Sequence, residues 1–290
     1  MRRGLDPLLE TGRWRHPTWP ARSIDRFVVS FPKSGRTWLR VLVGAAEAVR
    51  AGVSVEKRSA EWLRRDAPEL DGRPVLFTHA LSSSPGEPVE HVELFLRYIA
   101  DRARVFLVRD PRDTVVSYYF QQIKRRGADY GDVPDKLADF VRHPFYGVDR
   151  IIAFMNASQC AFDAGPGPAL LLSYEALHAD PVSALARVLQ FLGAPPAPPE
   201  ALVRAVEFGR FENMHELEAR GRLSGRLRPA DASDAESFKT RKGEVGGYRS
   251  YFAEDDVAWL DERVSARLVP SLGYAVPGAA PAMRERAAAP

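Results

Sequence analysis

Residues 27–40, FVVSFPKSGRTWLR, set Lys33 between a run of apolar residues and a glycine flanked by Ser34 and Thr37, with a helical pattern behind. A strand, a tight turn and a helix in that order can grip an anion. Backbone N–H groups from Ser34 to Thr37 point at it, and the new helix adds its positive end. Lys33 supplies a mobile charge, Thr37 a hydroxyl, and Trp38 an aromatic face just inside the helix. The order differs from G-x-x-x-x-G-K-[ST], in which the lysine follows the glycine. Alone, a Pro-Lys-Ser-Gly stretch is as often a plain surface turn.

A second anion site is written in VRDPRDTVVSYYF. Arg109 closes a strand, Asp110 is a helix N-cap and Pro111 suits the first helical position. Ser117 follows about two turns into that helix. Of the six histidines, only His79 ends an apolar run, in PVLFTHALS. A histidine with an ordinary pKa of about 6.5 can be neutral and basic near pH 7, so His79 is the candidate general base.

The elements that must position these residues are legible as short, continuous apolar runs: RFVVSF (26–31), PVLFTH (74–79), RVFLVR (104–109) and ALLLSY (169–174). Continuous rather than alternating runs suit strands buried on both faces of a parallel sheet. Helices lie between and after them. In ADPVSALARVLQFLG, Asp180 caps, Pro181 starts, Val182, Leu185, Leu189 and Leu192 form one stripe, and Gly193 ends the helix. Alternation of this kind predicts a three-layer α/β fold, a central parallel sheet flanked by helices. APPAPPE (194–200) is a stiff connector into a helix over about 201–208. Residues 221–247 have no apolar period and read as a long loop, of a length that is usually functional or disordered. A last helix starts near Glu254, and the Ala/Pro-rich segment 276–290 is expected to stay unpacked after a single domain spanning 1–275.

Composition narrows the function classes. The 290 residues carry 41 Lys and Arg against 38 Asp and Glu, a net charge of +3. That balance does not argue for a nucleic-acid partner. The single cysteine, Cys160, rules out an intramolecular disulfide and a multi-cysteine metal site, and its surroundings, IIAFMNASQCAF, suggest a buried helix face. The apolar stretch 39–49 is far short of the ~20 residues a spanning helix needs. A cytoplasmic location is the expectation.

Three of these segments resemble, in order, the motifs of the cytosolic-type sulfotransferases. SFPKSGRTW is similar to that family's 5′-phosphosulfate loop, [TS]-[YF]-P-K-[SA]-G-[TN]-T-W. VFLVRDPRDTVVSYY resembles its 3′-phosphate segment, and FKTRKGEVGGYRSYF its R-K-G-x-x-G-x-W segment. The resemblance covers residues 27–252. It implies the phosphate-loop sulfotransferase fold and the co-substrate 3′-phosphoadenosine 5′-phosphosulfate (PAPS), with no metal. By resemblance, Lys33, Ser34, Gly35, Arg36, Thr37 and Trp38 hold the 5′-phosphosulfate, with Trp38 beside the adenine. Arg109 and Ser117 take the 3′-phosphate, and Arg241, Lys242 and Gly243 close over it. Tyr174 in LLLSYEAL and Phe211 in VEFGRFENM match adenine-contacting positions, with Gly209 where many members have threonine.

His79 matches the catalytic histidine of the family's K-[ST]-H-L, here with Phe77 for the lysine and Ala80 for the leucine. The implied reaction is in-line transfer to an acceptor hydroxyl or amine: His79 takes the proton, Lys33 stabilises the leaving oxygen and Ser117 restrains Lys33. The lysine can then precede the glycine because it serves the bridging oxygen between phosphorus and sulfur. The acceptor, a small molecule, lipid or carbohydrate, is not readable; its pocket is expected from residues 81–90, 124–148 and 221–237. A family dimer motif is not matched, since Arg249, Ala253, Glu254 and Ala258 hold its positions. Two other classes fit parts of the pattern. A Mg²⁺-dependent nucleoside or sugar kinase needs carboxylates for its metal. A non-catalytic nucleotide-binding module has no use for His79 or Lys33.

Overall fold

The computed structural model of the chain describes residues 24–82, 88–125, 133–225, 227–276 and 278–288. The N-terminal residues 1–23 lie outside these, as do residues 83–87, 126–132 and 226 of the expected acceptor loops. Strand β1 (Arg26–Ser30) leads into helices α1 (Arg36–Arg50) and α2 (Val55–Arg64). A two-strand ribbon, β2 (Glu69–Leu70) and β3 (Arg73–Pro74), turns at Asp71 and Gly72, whose φ angles are 51° and 70°. An Asp-Gly pair is the expected occupant of such a turn. Then come β4 (Leu76–Thr78), α3 (Val89–Tyr98), β5 (Ala103–Val108), α4 (Pro111–Arg125), α5 (Leu137–Arg142), α6 (Val148–Ala164) and β6 (Ala169–Ser173). The chain continues through α7 (Tyr174–Ala179), α8 (Pro181–Phe191), α9 (Pro199–Phe208), α10 (Phe211–Ala219), α11 (Glu254–Arg267) and β7 (Arg284–Arg286).

The main sheet runs β4-β1-β5-β6-β7, with the first four strands parallel. Alternate residues of each strand serve opposite faces. Phe27, Val29, Phe106 and Val108 join one core with α3, α4, α6 and α11, while Val28, Val105, Leu107 and Leu170 join another with α1, α2 and α8. The predicted continuous runs are therefore strands buried on both sides, and the three-layer arrangement holds. Asp180 Oδ1 accepts from the Ser183 N–H at 3.1 Å to start α8, and Gly193 beyond its end takes φ 72°.

Two expectations are corrected. The chain after residue 276 does not stay unpacked throughout: β7 pairs antiparallel with β6, and Ser173 Oγ donates to the Pro281 carbonyl at 3.0 Å. An open edge of β6 offers unpaired backbone groups, and that pairing outweighs the segment's weak composition. Cys160 is exposed, because the buried side of α6 runs through Ile151, Phe154, Met155, Ser158 and Phe162. Among the described residues no helix is long and apolar enough to cross a membrane.

The strand order turns at β1. It is followed in sequence by β4 on one side, and β5 then crosses to the other. A crevice opens outside the carboxyl ends of strands at such a point, and the loop after β1 lies there.

Candidate active site

The loop after β1 bends through two left-handed residues, Lys33 at φ 72° and Gly35 at φ 96°. The first is costly for a side-chain-bearing residue and is the kind of strain found at ligand clamps. Gly35 is required twice over, since an added Cβ would also lie 2.7 Å from Tyr174 Cδ2. No side chain caps α1, so its first-turn N–H groups remain available to an anion. Ser34 departs from expectation. It is buried, and its N–H turns back to the Phe31 carbonyl at 3.4 Å.

His79 stands at the end of β4, beside that loop. Its Nδ1 lies 2.8 Å from the Ser30 carbonyl and its Nε2 lies 2.7 Å from Arg36 Nη2. A carbonyl can only accept, so Nδ1 carries the hydrogen and Nε2 keeps its lone pair. The chain behind the ring is fixed by left-handed Ala80 and Leu81 and by Ser82, whose Oγ donates to the His79 carbonyl at 2.6 Å.

Arg109, at the end of β5, ties three segments together. It donates to the Lys33 carbonyl at 3.3 Å and to the Glu244 carbonyl at 3.0 Å, and its guanidinium lies 4.2 Å over the Tyr174 ring. Its Nε is buried without a hydrogen-bond partner among the described residues. Arg109 thus bonds the backbone of Lys33. Tyr174 donates to the Gly243 carbonyl at 3.1 Å, and burial pushes its phenol up. Asp113 accepts from the Gly246 N–H at 2.7 Å and the Tyr248 N–H at 2.9 Å, fastening the late loop to α4.

Buried Glu218, on α10, holds the same loop from its other end. Its carboxylate accepts from the N–H groups of Lys239 and Thr240 at 2.7 and 2.9 Å and from Arg125 at 3.3 Å. Arg241 is held by Glu236 at 3.1 Å and by the Tyr251 hydroxyl, and Lys242 reaches Ser250 Oγ at 3.2 Å. Sequence reasoning missed Asp113, Glu218, Arg125 and Lys239 as organisers. Asp113 had a faint signal as a helix-start acid; Glu218 had none, because its partners are backbone groups on a distant loop.

The aromatic side of the site is built around Trp38. Its ring centroid lies 5.8 Å from Tyr174 and 6.3 Å from His178, and its Nε1 donates to the Gly209 carbonyl at 2.8 Å. A Cβ on Gly209 would sit 2.6 Å from Leu42 Cδ2, which explains glycine at this position. Phe211 covers Gly243 in the same way, at 2.6 Å from the Cβ a larger residue would carry.

One cavity of about 710 Å³ gathers every predicted site residue except Ser34. Cations and aromatic rings are interleaved in its lining, with Arg109 over Tyr174 and Arg241 and Lys242 over Tyr251. Desolvation holds the Lys33 ammonium well below the usual lysine range; Lys239, Arg125 and Arg241 push the same way and Glu218 opposes them. The cations gathered around Lys33 favour an incoming anion. Among the described residues no group of three or more His, Cys, Asp or Glu could hold a metal ion.

An open parallel sheet with an anion-gripping loop at its switch point, a fixed histidine and a cationic, aromatic-walled cavity defines a phosphate-loop α/β enzyme. The family model for the sulfotransferase domain matches residues 23–269, and the chain belongs to that family. It is 29% identical to cytosolic sulfotransferase 17 of Arabidopsis thaliana, covering 89% of this chain and 78% of that protein. It is 24% identical to flavonol 3-sulfotransferase of Flaveria bidentis, over 87% and 84%. Among solved structures, mouse sulfotransferase SULT7A1 complexed with PAP shares the fold at TM-score 0.55 and 20% identity, covering 85% of this chain and 84% of that one. Retinol dehydratase in complex with retinol and PAP does so at TM-score 0.57 and 20% identity, over 84% and 80%. The family decides against the kinase and the non-catalytic module.

Proposed function

We propose that this sulfotransferase moves the sulfuryl group of PAPS to a hydroxyl or amine of a small-molecule, lipid or carbohydrate acceptor, with His79 as the base. The observation that carries the reading is His79 Nδ1 on the Ser30 carbonyl, which keeps Nε2 basic and inside the cavity that Lys33 lines. The residues fit the nucleotide. Arg109 has a buried Nε with no hydrogen-bond partner among the described residues, Gly35 and Gly243 let the Tyr174 and Phe211 rings pack directly on the two loops, and Lys33, Arg36, Arg109, Arg241 and Lys242 all line the cavity.

In this reading the first-turn N–H groups of α1, with Thr37, hold the 5′-phosphate. Arg109, Ser117, Arg241, Lys242 and the Gly243 backbone hold the 3′-phosphate, and Trp38, Tyr174 and Phe211 hold adenine. His79 Nε2 takes the acceptor proton as its oxygen attacks sulfur, and the ammonium of Lys33 stabilises charge on the departing phosphate oxygen. Binding of the doubly charged phosphosulfate favours the protonated form of Lys33, which desolvation disfavours. The relatives named as cytosolic sulfotransferases support a cytosolic placement. Incubating the protein with PAPS and a panel of alcohols, phenols and amines, with and without Mg²⁺, tests the proposal. A metal-independent mass gain of one sulfo group on an acceptor supports it, and transfer that demands Mg²⁺ overturns it.

A further inference from the structure

Arg36 is the first residue of α1, and its guanidinium donates to the lone pair that the base must use. Arg36, His79 and Lys33 line the same cavity. Two departures from the motifs bear on this contact. The loop pattern has threonine or asparagine where Arg36 stands, and the strand pattern has lysine where Phe77 stands. Phe77 is buried, with the Arg40 guanidinium 5.1 Å over its ring and Trp62 6.0 Å away, so that position delivers no cation to the site. The cation beside the base comes from the loop instead.

We propose that Arg36 is a further catalytic residue, which holds His79 Nε2 while the donor is absent and passes to the sulfonate oxygens of PAPS when it binds. The inference rests on the PAPS reading above. In the imidazole contact only the donor is charged, whereas with a sulfonate both partners are charged and attract each other, so the guanidinium prefers the sulfonate. Its planar fork suits such a group. The exchange frees Nε2 for the acceptor. The acceptor oxygen then forms its bond to sulfur, its proton goes to His79 Nε2, and the sulfur–oxygen bond to the phosphate breaks with its electron pair left on that oxygen. The base is thereby released only in a site already loaded with the group to be transferred.

The test compares PAPS with its product 3′-phosphoadenosine 5′-phosphate, which lacks the sulfonate, on the full chain. In the wild type, the ¹⁵N resonance of His79 Nε2 is expected to shift on adding PAPS and to move little with the bisphosphate. Arg36→Thr is expected to lower PAPS affinity by about 10- to 100-fold, the worth of a charge-assisted hydrogen bond, with the bisphosphate weakened less than 3-fold. In that variant PAPS no longer moves the His79 signal. Equal loss for both nucleotides, or a His79 resonance in the wild type indifferent to PAPS that binds, overturns the proposal. Failure of the wild type to bind either nucleotide instead overturns the PAPS reading itself. The wild-type spectrum decides the matter even if Arg36→Thr does not fold, and Arg36→Gln repeats the affinity comparison.

Discussion

Arg109 Nη2 donates to the Glu244 carbonyl at 3.0 Å, joining the end of β5 to a loop far along the chain. The same side chain reaches back to the carbonyl of Lys33 at 3.3 Å. One cation thus sets the distance between the first loop, proposed to grip the transferred end of the donor, and the late loop proposed to close over the 3′-phosphate.

Lys33→Ala is expected to cut transfer by ~10²–10³, the scale for a lost stabiliser of developing charge, while bisphosphate binding survives in weakened form. The lowered Lys33 pKa adds a second readout. With the ammonium disfavoured in the empty site, an anionic nucleotide draws a proton onto it, and affinity falls as pH rises through the lowered value. Calorimetry in buffers of differing ionisation enthalpy should show proton uptake in the wild type and less in Lys33→Ala. Near-normal kcat in the variant overturns the assigned role.

His79→Ala or His79→Asn is expected to leave PAPS affinity nearly intact and to slow transfer to an alcohol by ~10² or more. A phenol of low pKa should suffer less, because less proton removal is needed. A binding defect without a rate defect makes His79 structural.

The bisphosphate should protect residues 221–247 from proteolysis, whereas adenosine 5′-phosphate at equal occupancy should protect them poorly. Arg241→Ala narrows that difference. Asp113→Ala removes the acceptor of the Gly246 and Tyr248 N–H groups and should raise cleavage even with nucleotide present, at ~1–3 kcal/mol for each donor left unsatisfied. Equal protection by both nucleotides would show that the 3′-phosphate is not what this loop reads.

Gly35→Ala should abolish nucleotide binding in a protein that still folds, since the new Cβ would stand 2.7 Å from Tyr174 Cδ2 at a φ of 96°. Gly209→Thr should instead lower stability by ~1–3 kcal/mol, because its Cβ falls 2.6 Å from Leu42 Cδ2 in the core beneath Trp38. Thermal unfolding with and without bisphosphate separates the two, and a Gly35→Ala protein that binds normally contradicts the packing argument.

What the residues alone determined is local in origin. Strands buried on both faces must be continuously apolar, and Asp110-Pro111 and Asp180-Pro181 start helices by capping chemistry confined to a few residues. The anion loop was legible for the same reason: strand, turn and helix are neighbours in the chain. Tertiary structure decided the rest. Glu218 gives no sign in its own surroundings that it will hold Lys239 and Thr240, nor does Arg36 that it will meet His79 across two strands. The pairing of β7 depended on an open edge of β6, and the exposure of Cys160 on which side of α6 the sheet covers. Such contacts join residues whose separation is set only when the sheet closes, and pattern within a short window carries no record of that distance.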